Sequence, residues 1–291
     1  MINLEEAKKI AAEKIQDRDS APGRLGGKIA VVTGSAQGFG LGIAKEMYRE
    51  GASIVIADIN AELSEAVAKE LGERAFSIAV DVTKEASVAE LVCKTVEHFG
   101  GIDIFVSNAG VVKAGSLEEM DLASFEFVTR VNYSGYFVCA KYASEIMKAQ
   151  HQADPEWFGD IIQINSKSGL AGSKNNFAYA GGKFGGVGLT QSFALELIDY
   201  NIKVNSICPG NYYDGPLWSD PERGLFVQYL QAGKVPGAKT VEDVKRFYLA
   251  KSPIRRGCFP EDVVKAIFYC VEQTYETGQA IPVTGGQIMM N

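Results

Sequence analysis

The sequence predicts an α/β fold, a Rossmann-type doubly wound parallel sheet in a single domain, and three observations carry that expectation. Short apolar runs alternate with segments of helical period from Lys28 onward. The first run leads into the glycine-rich turn Thr33-Gly34-Ser35-Ala36-Gln37-Gly38-Phe39-Gly40, and the second ends on an acid, Asp58. Strands alternating with helices build right-handed βαβ units, and a sheet covered on both faces needs strands apolar along their whole length.

Taken in order, residues 1–27 divide into a helical stretch, Leu4 to Ile15, and a linker holding Pro22, Gly23, Gly26 and Gly27. The main domain is therefore expected over 28–291. Strands are expected at Lys28 to Thr33, Ser53 to Ala57, Ala75 to Val80, Ile102 to Val106, Asp160 to Asn165, Ile202 to Ile207 and Gln279 to Val283. A helix follows the glycine turn, and others are expected at Ala61 to Leu71, Ser87 to Phe99, Ser124 to Val131, Ser134 to Lys148 and Phe177 to Tyr200. Between 211 and 259 the strand rhythm breaks at Pro216, Pro221 and Pro236, and Thr240 with Asp243 forms a capping box for one helix. An insertion of that length in a compact domain reads as a lid over a binding site.

Composition excludes several classes of function. Of 291 residues 46% are hydrophobic and 22% charged, and the net charge of -7 argues against nucleic acid or an anionic membrane as partner. Five cysteines at 93, 139, 208, 258 and 270 show no paired spacing, so no metal site is expected and a reducing cytoplasm fits best. No apolar run approaches ~18 residues, and no signal peptide is readable at the N-terminus.

The glycine turn sets backbone N–H groups and the positive end of a helix where a phosphate can bind. Its spacing, Gly34, Gly38, Gly40, is G-x-x-x-G-x-G. Asp58, about twenty residues beyond Gly38, stands where a carboxylate accepts the ribose hydroxyls of adenosine and repels a 2′-phosphate. With no Lys or Arg between Gly34 and Gly38, the expected cofactor is NAD and not NADP. The plainer role for Asp58 is to cap the helix that begins at Ala61.

Tyr179 and Lys183 lie four residues apart and so share a helix face, with Ser166 thirteen residues upstream. Tyrosine ordinarily titrates near ~10, and bringing it to about 7 takes roughly 4 kcal/mol. A neighbouring ammonium is expected to supply much of that, which turns a phenol into a general base. A serine hydrolase would need a histidine. The two present, His98 at a predicted helix end and His151 in a polar connection, read as surface residues.

In this combination of motifs the chain resembles the short-chain dehydrogenase/reductase family from about Lys28 to Gly286. The resemblance implies NAD bound by Gly34, Gln37, Gly38, Phe39, Gly40 and Asp58, with Asp81 and Val82 flanking the adenine. It further implies that Asn108, Ala109 and Gly110 line the cofactor and that Pro209 and Gly210 face the nicotinamide. Ser107 replaces the usual first Asn of one motif, and Asp214 stands where the family often has a carboxamide-binding Thr. The implied catalytic tetrad is Asn132, Ser166, Tyr179 and Lys183. Tyr179 exchanges a proton with the substrate hydroxyl, Ser166 hydrogen-bonds the reacting oxygen, Lys183 grips the nicotinamide ribose, and Asn132 holds a water linking Lys183 to solvent.

A narrower likeness, over Gly159 to Ser192, Pro253 to Cys258 and Val283 to Gln287, is to the sorbitol-6-phosphate 2-dehydrogenase group. It implies interconversion of D-sorbitol 6-phosphate and D-fructose 6-phosphate. Lys167, Lys174 and the Arg255-Arg256 pair are the candidate phosphate cations, with Ser166 also on the substrate. Another polyol dehydrogenase, or an NAD-binding redox sensor without turnover, remains open. The glycines at 181, 182, 185, 186 and 188, each costing up to ~1 kcal/mol in a helix interior, suggest close approach of another backbone and hence a homotetramer.

Overall fold

The computed structural model describes residues 2–289 apart from Asp19. Seven parallel strands form one sheet in the order β3-β2-β1-β4-β5-β6-β7. These are β1 Ile29–Thr33, β2 Ser53–Asp58, β3 Ala75–Ala79, β4 Ile104–Ser107, β5 Gly159–Ile164, β6 Ile202–Pro209 and β7 Ala280–Val283. Every residue of β1, β4, β5 and β6 is buried, as strands covered on both faces must be.

Because side chains alternate along a strand, the sheet feeds two cores. On one face Val31, Val55, Phe105 and Ile161 pack against α1 (Leu4–Glu13), α4 (Glu85–Phe99), α6 (Gly135–Ala153) and α7 (Phe177–Leu197). On the other, Ala30, Val32, Ile54, Ile56, Ile104 and Ile162 meet α2 (Gly38–Arg49), α3 (Ala61–Leu71) and α11 (Pro260–Glu272). Helix α5, Leu122–Thr129, leads into α6 through a π-turn at Arg130–Ser134.

The N-terminal helix is shorter than expected but firmly seated. Asn3 caps it, Ala7 and Ala11 are fully buried, and beyond it Arg18 pairs with Asp103, the residue just ahead of β4. Asp103 also accepts the Ile29 N–H at 2.7 Å and the Trp157 indole N–H at 2.8 Å.

Helix α11 is absent from the sequence-based reading. Pro260 at its first turn and Asp262, which accepts the Phe259 N–H at 3.0 Å, start it, and Val263, Val264 and Ile267 bury its face. His151 is not in a connection: α6 extends past it to Ala153, and its ring stands edge-on to Tyr200. His98 lies in the last turn of α4, stacked on Phe76.

Between β6 and α11 run three short helices, α8 (Pro216–Ser219), α9 (Leu225–Gln231) and α10 (Val241–Ala250). The capping box at Thr240 and Asp243 starts the last of them, as expected. They carry their own aromatic core of Tyr213, Trp218, Phe226 and Tyr229, which lies beside the carboxyl ends of the strands. The sheet order reverses between β1 and β4, and such a switch point leaves a crevice beyond the strand ends.

Candidate active site

That crevice is a cavity of about 840 Å³ running from the glycine turn to residues of α8 and α9 and Tyr248 of α10. Gly34 and Gly38 have φ of +64° and +63°, which a side chain rarely tolerates. A Cβ at Gly40 would strike the Gly34 carbonyl and the Asn108 amide, so Gly40 is needed for close packing and stands behind the wall. Asn108 fixes the turn by donating to the carbonyls of Thr33 at 2.8 Å and Gly34 at 3.0 Å. No side chain caps α2 at Gln37, so the N–H groups of its first turn face the cavity without intrahelical partners. A helix start of this kind can receive a phosphate.

Asp58 is buried on the cavity wall, and its carboxylate accepts the N–H of Ala36 at 2.9 Å and of Asn60 at 3.0 Å. It does not cap α3. Asn60 does, accepting the Leu63 N–H. Asp81, Val82, Asn108, Ala109, Gly110, Pro209 and Gly210 complete this part of the wall. Asp81 accepts two bonds from Thr83, which hold its carboxyl below the usual range. Asp214 is exposed, 3.8 Å from Lys245, and is not on the wall.

Ser166, Tyr179 and Lys183 converge at the centre. Ser166 follows β5, and its hydroxyl accepts the Ser168 N–H at 3.1 Å, which orients it. The Lys183 ammonium donates to the Ile164 carbonyl at 2.8 Å and lies 5.6 Å from the Tyr179 ring centre. Burial pulls this lysine down to about 8. Tyr179 departs from the sequence expectation: burial raises its phenol above the ordinary tyrosine range, opposed by the Ser166 hydroxyl. In the chain by itself desolvation of the phenolate outweighs that hydrogen bond.

Asn132 lies in the π-turn and is buried behind the wall. Its amide donates to the Val111 carbonyl at 2.7 Å and accepts the Val111 N–H at 2.9 Å. The side chain therefore clamps the segment after β4 to the turn. Gly110 makes room for both Asn132 and Lys183, whose polar atoms lie 3.0 and 3.8 Å from where its Cβ would be.

The candidate phosphate cations separate. Lys167 lines the cavity. Lys174 is exposed and off the wall. Arg256 points its charge elsewhere: it grips Asp262 of α11 with contacts of 2.5 and 2.9 Å and donates to the Gly257 carbonyl. Tyr229, Lys234 and Tyr248, from the segment between β6 and α11, also line the cavity, and no local motif in the sequence marks them. The glycines of α7 also divide. A Cβ at Gly185 would meet the Tyr133 ring and one at Gly186 the Gln163 side chain, whereas Gly181 and Gly188 face open space.

The model of the short chain dehydrogenase family matches residues 28–218. A sorbitol-6-phosphate 2-dehydrogenase of Escherichia coli (strain K12) is 39% identical over 90% of this chain and 99% of its own. A sorbitol dehydrogenase of Cereibacter sphaeroides is 34% identical over 91% and 99%. Among solved structures, sorbitol-6-phosphate 2-dehydrogenase from Erwinia amylovora superposes with a TM-score of 0.81 at 39% identity, over 90% of this chain and all of the other. With a seven-stranded parallel sheet, a cavity at its switch point and these relatives, the chain belongs to the short-chain dehydrogenase family of oxidoreductases.

Proposed function

We propose that this enzyme is an NAD-dependent oxidoreductase interconverting D-sorbitol 6-phosphate and D-fructose 6-phosphate. The observation that carries the reading is one cavity joining an uncapped helix start, Asp58, and the trio Ser166, Tyr179 and Lys183. The free N–H groups of the α2 start suit the cofactor pyrophosphate, and the Asp58 carboxylate suits an unphosphorylated ribose, hence NAD. Asp81 and Val82 would flank the adenine, and Asn108, Ala109, Gly110, Pro209 and Gly210 the nicotinamide half.

When bound, the oxidised nicotinamide supplies the hydride acceptor and a positive charge. In oxidation Tyr179 takes the proton of the substrate hydroxyl, and Ser166 hydrogen-bonds the same oxygen. Lys183 holds the nicotinamide ribose and lends its charge to the phenolate. Asn132 acts by fixing Val111 and the π-turn beside Lys183. The segment 211–259 serves as the lid on a domain that starts at 28, and the described residues ahead of it form an extension whose helix α1 packs on α4 and α6. The homotetramer remains our reading, supported by Gly181 and Gly188, whose open faces suit the backbone of a second copy. Among the described residues no helix is long and apolar enough to cross a membrane. Five free, buried cysteines suit the reducing cytoplasm.

A second reading, a dehydrogenase of unphosphorylated polyols, is favoured by the likeness to a sorbitol dehydrogenase over the same share of the chain. The test is NADH formation with sorbitol 6-phosphate, free sorbitol and a panel of other polyols, each with NAD and with NADP. Turnover of the phosphorylated polyol with NAD supports the first reading. Preference for a free polyol supports the second, and no turnover with any of them removes both in favour of a cofactor-binding sensor.

A further inference from the structure

The end of the cavity beyond Tyr179 holds two lysines, with a third close by, that no carboxylate neutralises among the described residues. Lys167 follows the catalytic serine in the chain, and Lys234 lies between α9 and α10, and both line the cavity. Lys251 terminates α10. The two lid lysines are seated on one aromatic pair. Tyr229 and Tyr248 stack with ring centres 5.5 Å apart, and the Lys234 ammonium lies 3.8 Å from the Tyr229 centre. The Lys251 ammonium lies 5.5 Å from the Tyr248 centre and 4.1 Å from that of Phe247. Tyr229 and Tyr248 themselves line the cavity.

Among the described residues none of these three ammonium groups makes an ion pair or a side-chain hydrogen bond, in a chain with more acids than bases. Asp220, the wall carboxylate contributed by the segment between β6 and α11, is taken by the backbone N–H groups of Glu222 and Arg223 and lies 3.9 Å from the Arg223 guanidinium. The lysines feel one another instead. Burial and then Lys251 pull Lys167 down, while burial and then Lys167 and Lys251 pull Lys234 down to about 8. Like charges gathered without a counter-ion destabilise the empty site, and a doubly charged anion among them relieves both terms.

We propose that Lys167, Lys234 and Lys251 form a phosphate-ester subsite shared between the catalytic serine loop and the lid, which an anionic substrate closes. The proposal rests on the polyol reading above and names what holds the far end of the substrate. A hydroxyl carbon at Tyr179 and a phosphate at the lysines place the two ends of one open-chain sugar phosphate at the two sides of the cavity. The aromatic pair lets an ammonium rest on a π face while the site is empty and turn to the anion when it arrives. Because two of the three ligands belong to the lid, phosphate binding ties the lid to the serine loop.

Titration calorimetry with inorganic phosphate and steady-state kinetics test it on the full-length, NAD-bound protein. Lys234→Met and Lys251→Met should each weaken inorganic phosphate binding by about tenfold or more, the loss expected for one charge-assisted contact. The same variants should raise the KM for sorbitol 6-phosphate by a similar factor and leave the KM for NAD within about twofold. Lys234→Arg, which keeps the charge, should restore most of the phosphate binding, so a folding defect is told apart from a lost ligand. Equal phosphate affinity in the parent protein and both Met variants overturns the subsite whatever polyol the enzyme takes. Phosphate binding that depends on Lys234, in a protein that oxidises no polyol, supports the subsite and overturns the substrate reading alone.

Discussion

Replacing Arg18 by Met should destabilise the fold by about 3 kcal/mol while leaving turnover near that of the parent. Arg18 is 9% exposed and Asp103 1%, and one guanidinium nitrogen lies 2.6 Å from both carboxylate oxygens. Removing one partner of a buried pair costs ~3–5 kcal/mol, because the other charge stays buried. Two observations set the value at the low end. Asp103 keeps the N–H groups of Ile29 and Trp157, and the substitution also removes the Nε and Nη2 of Arg18, which are buried without partners. At roughly 2 °C per kcal/mol for a chain of this size, the midpoint should fall by about 6 °C. Urea unfolding and thermal scans measure the loss, and the double variant with Asp103→Asn should lose less than the two single variants together. A loss under about 0.5 kcal/mol, the value of an exposed pair, would refute the argument and mean that the extension rides on the surface without bracing it.

Tyr179→Phe should lose at least ~1000-fold in kcat yet bind NADH with nearly unchanged affinity by fluorescence, and retained turnover would remove Tyr179 as the base. Asp58→Ala should raise the KM for NAD severalfold and narrow the preference over NADP; an unchanged ratio would mean that Asp58 serves only Ala36 and Asn60. Lys183→Met should give a dead protein about 1–3 kcal/mol more stable than the parent at pH 7. The folded lysine titrates at about 8 against 10.5 unfolded, so between those values the unfolded chain binds more protons and parent stability rises with pH. The advantage of the variant should therefore shrink from pH 8 to 10.5 in urea titrations, and a constant gap would contradict the burial of a charged lysine. Gly181→Leu should lower the mass seen by light scattering if α7 packs on a second copy. A monomer at the outset, or an unaltered oligomer, would detach the open faces of Gly181 and Gly188 from assembly.

Most of the sheet was legible because each strand carries a short apolar run, interrupted in β5 and β6 only by buried polar groups such as Asp160 and Lys203, which pair with each other. That the glycine turn and the proposed catalytic trio share one cavity was legible because these residues are close in sequence or sit at the ends of those strands. What escaped depends on contacts between distant segments. Helix α11 was overlooked although Pro260, Glu261 and Asp262 stand ahead of its apolar face, and that omission produced the error at Arg256. Without α11 its Asp262 is no visible partner, and an arginine beside glycine reads as a free phosphate ligand. The glycines of α7 were assigned together to a second backbone. Tyr133 and Gln163 account for Gly185 and Gly186 inside the chain, and both contacts arise from how the π-turn and β5 meet the helix. Lys234 could not be placed on the wall, nor Lys251 beside its aromatic neighbours, before the segment between β6 and α11 had folded on its own aromatic core.

The electrostatics of the site oppose those of the whole molecule, and this bears on how its proton chemistry is set. The chain carries a net charge of -7, yet Lys167, Lys183 and Lys234 share one cavity wall. Poor solvation acts on both kinds of group there, lowering the lysines and raising Tyr179. It favours neutral forms on both sides, which is the wrong protonation for a tyrosinate base beside a charged lysine. The ligands correct it. In the proposed complex a cationic nicotinamide ring beside Tyr179 would stabilise the phenolate, and an anion among Lys167, Lys234 and Lys251 would stabilise their charged forms. In the proposed mechanism the tyrosinate base therefore depends on the cofactor's positive charge, and the charged lysines depend on the substrate's anion.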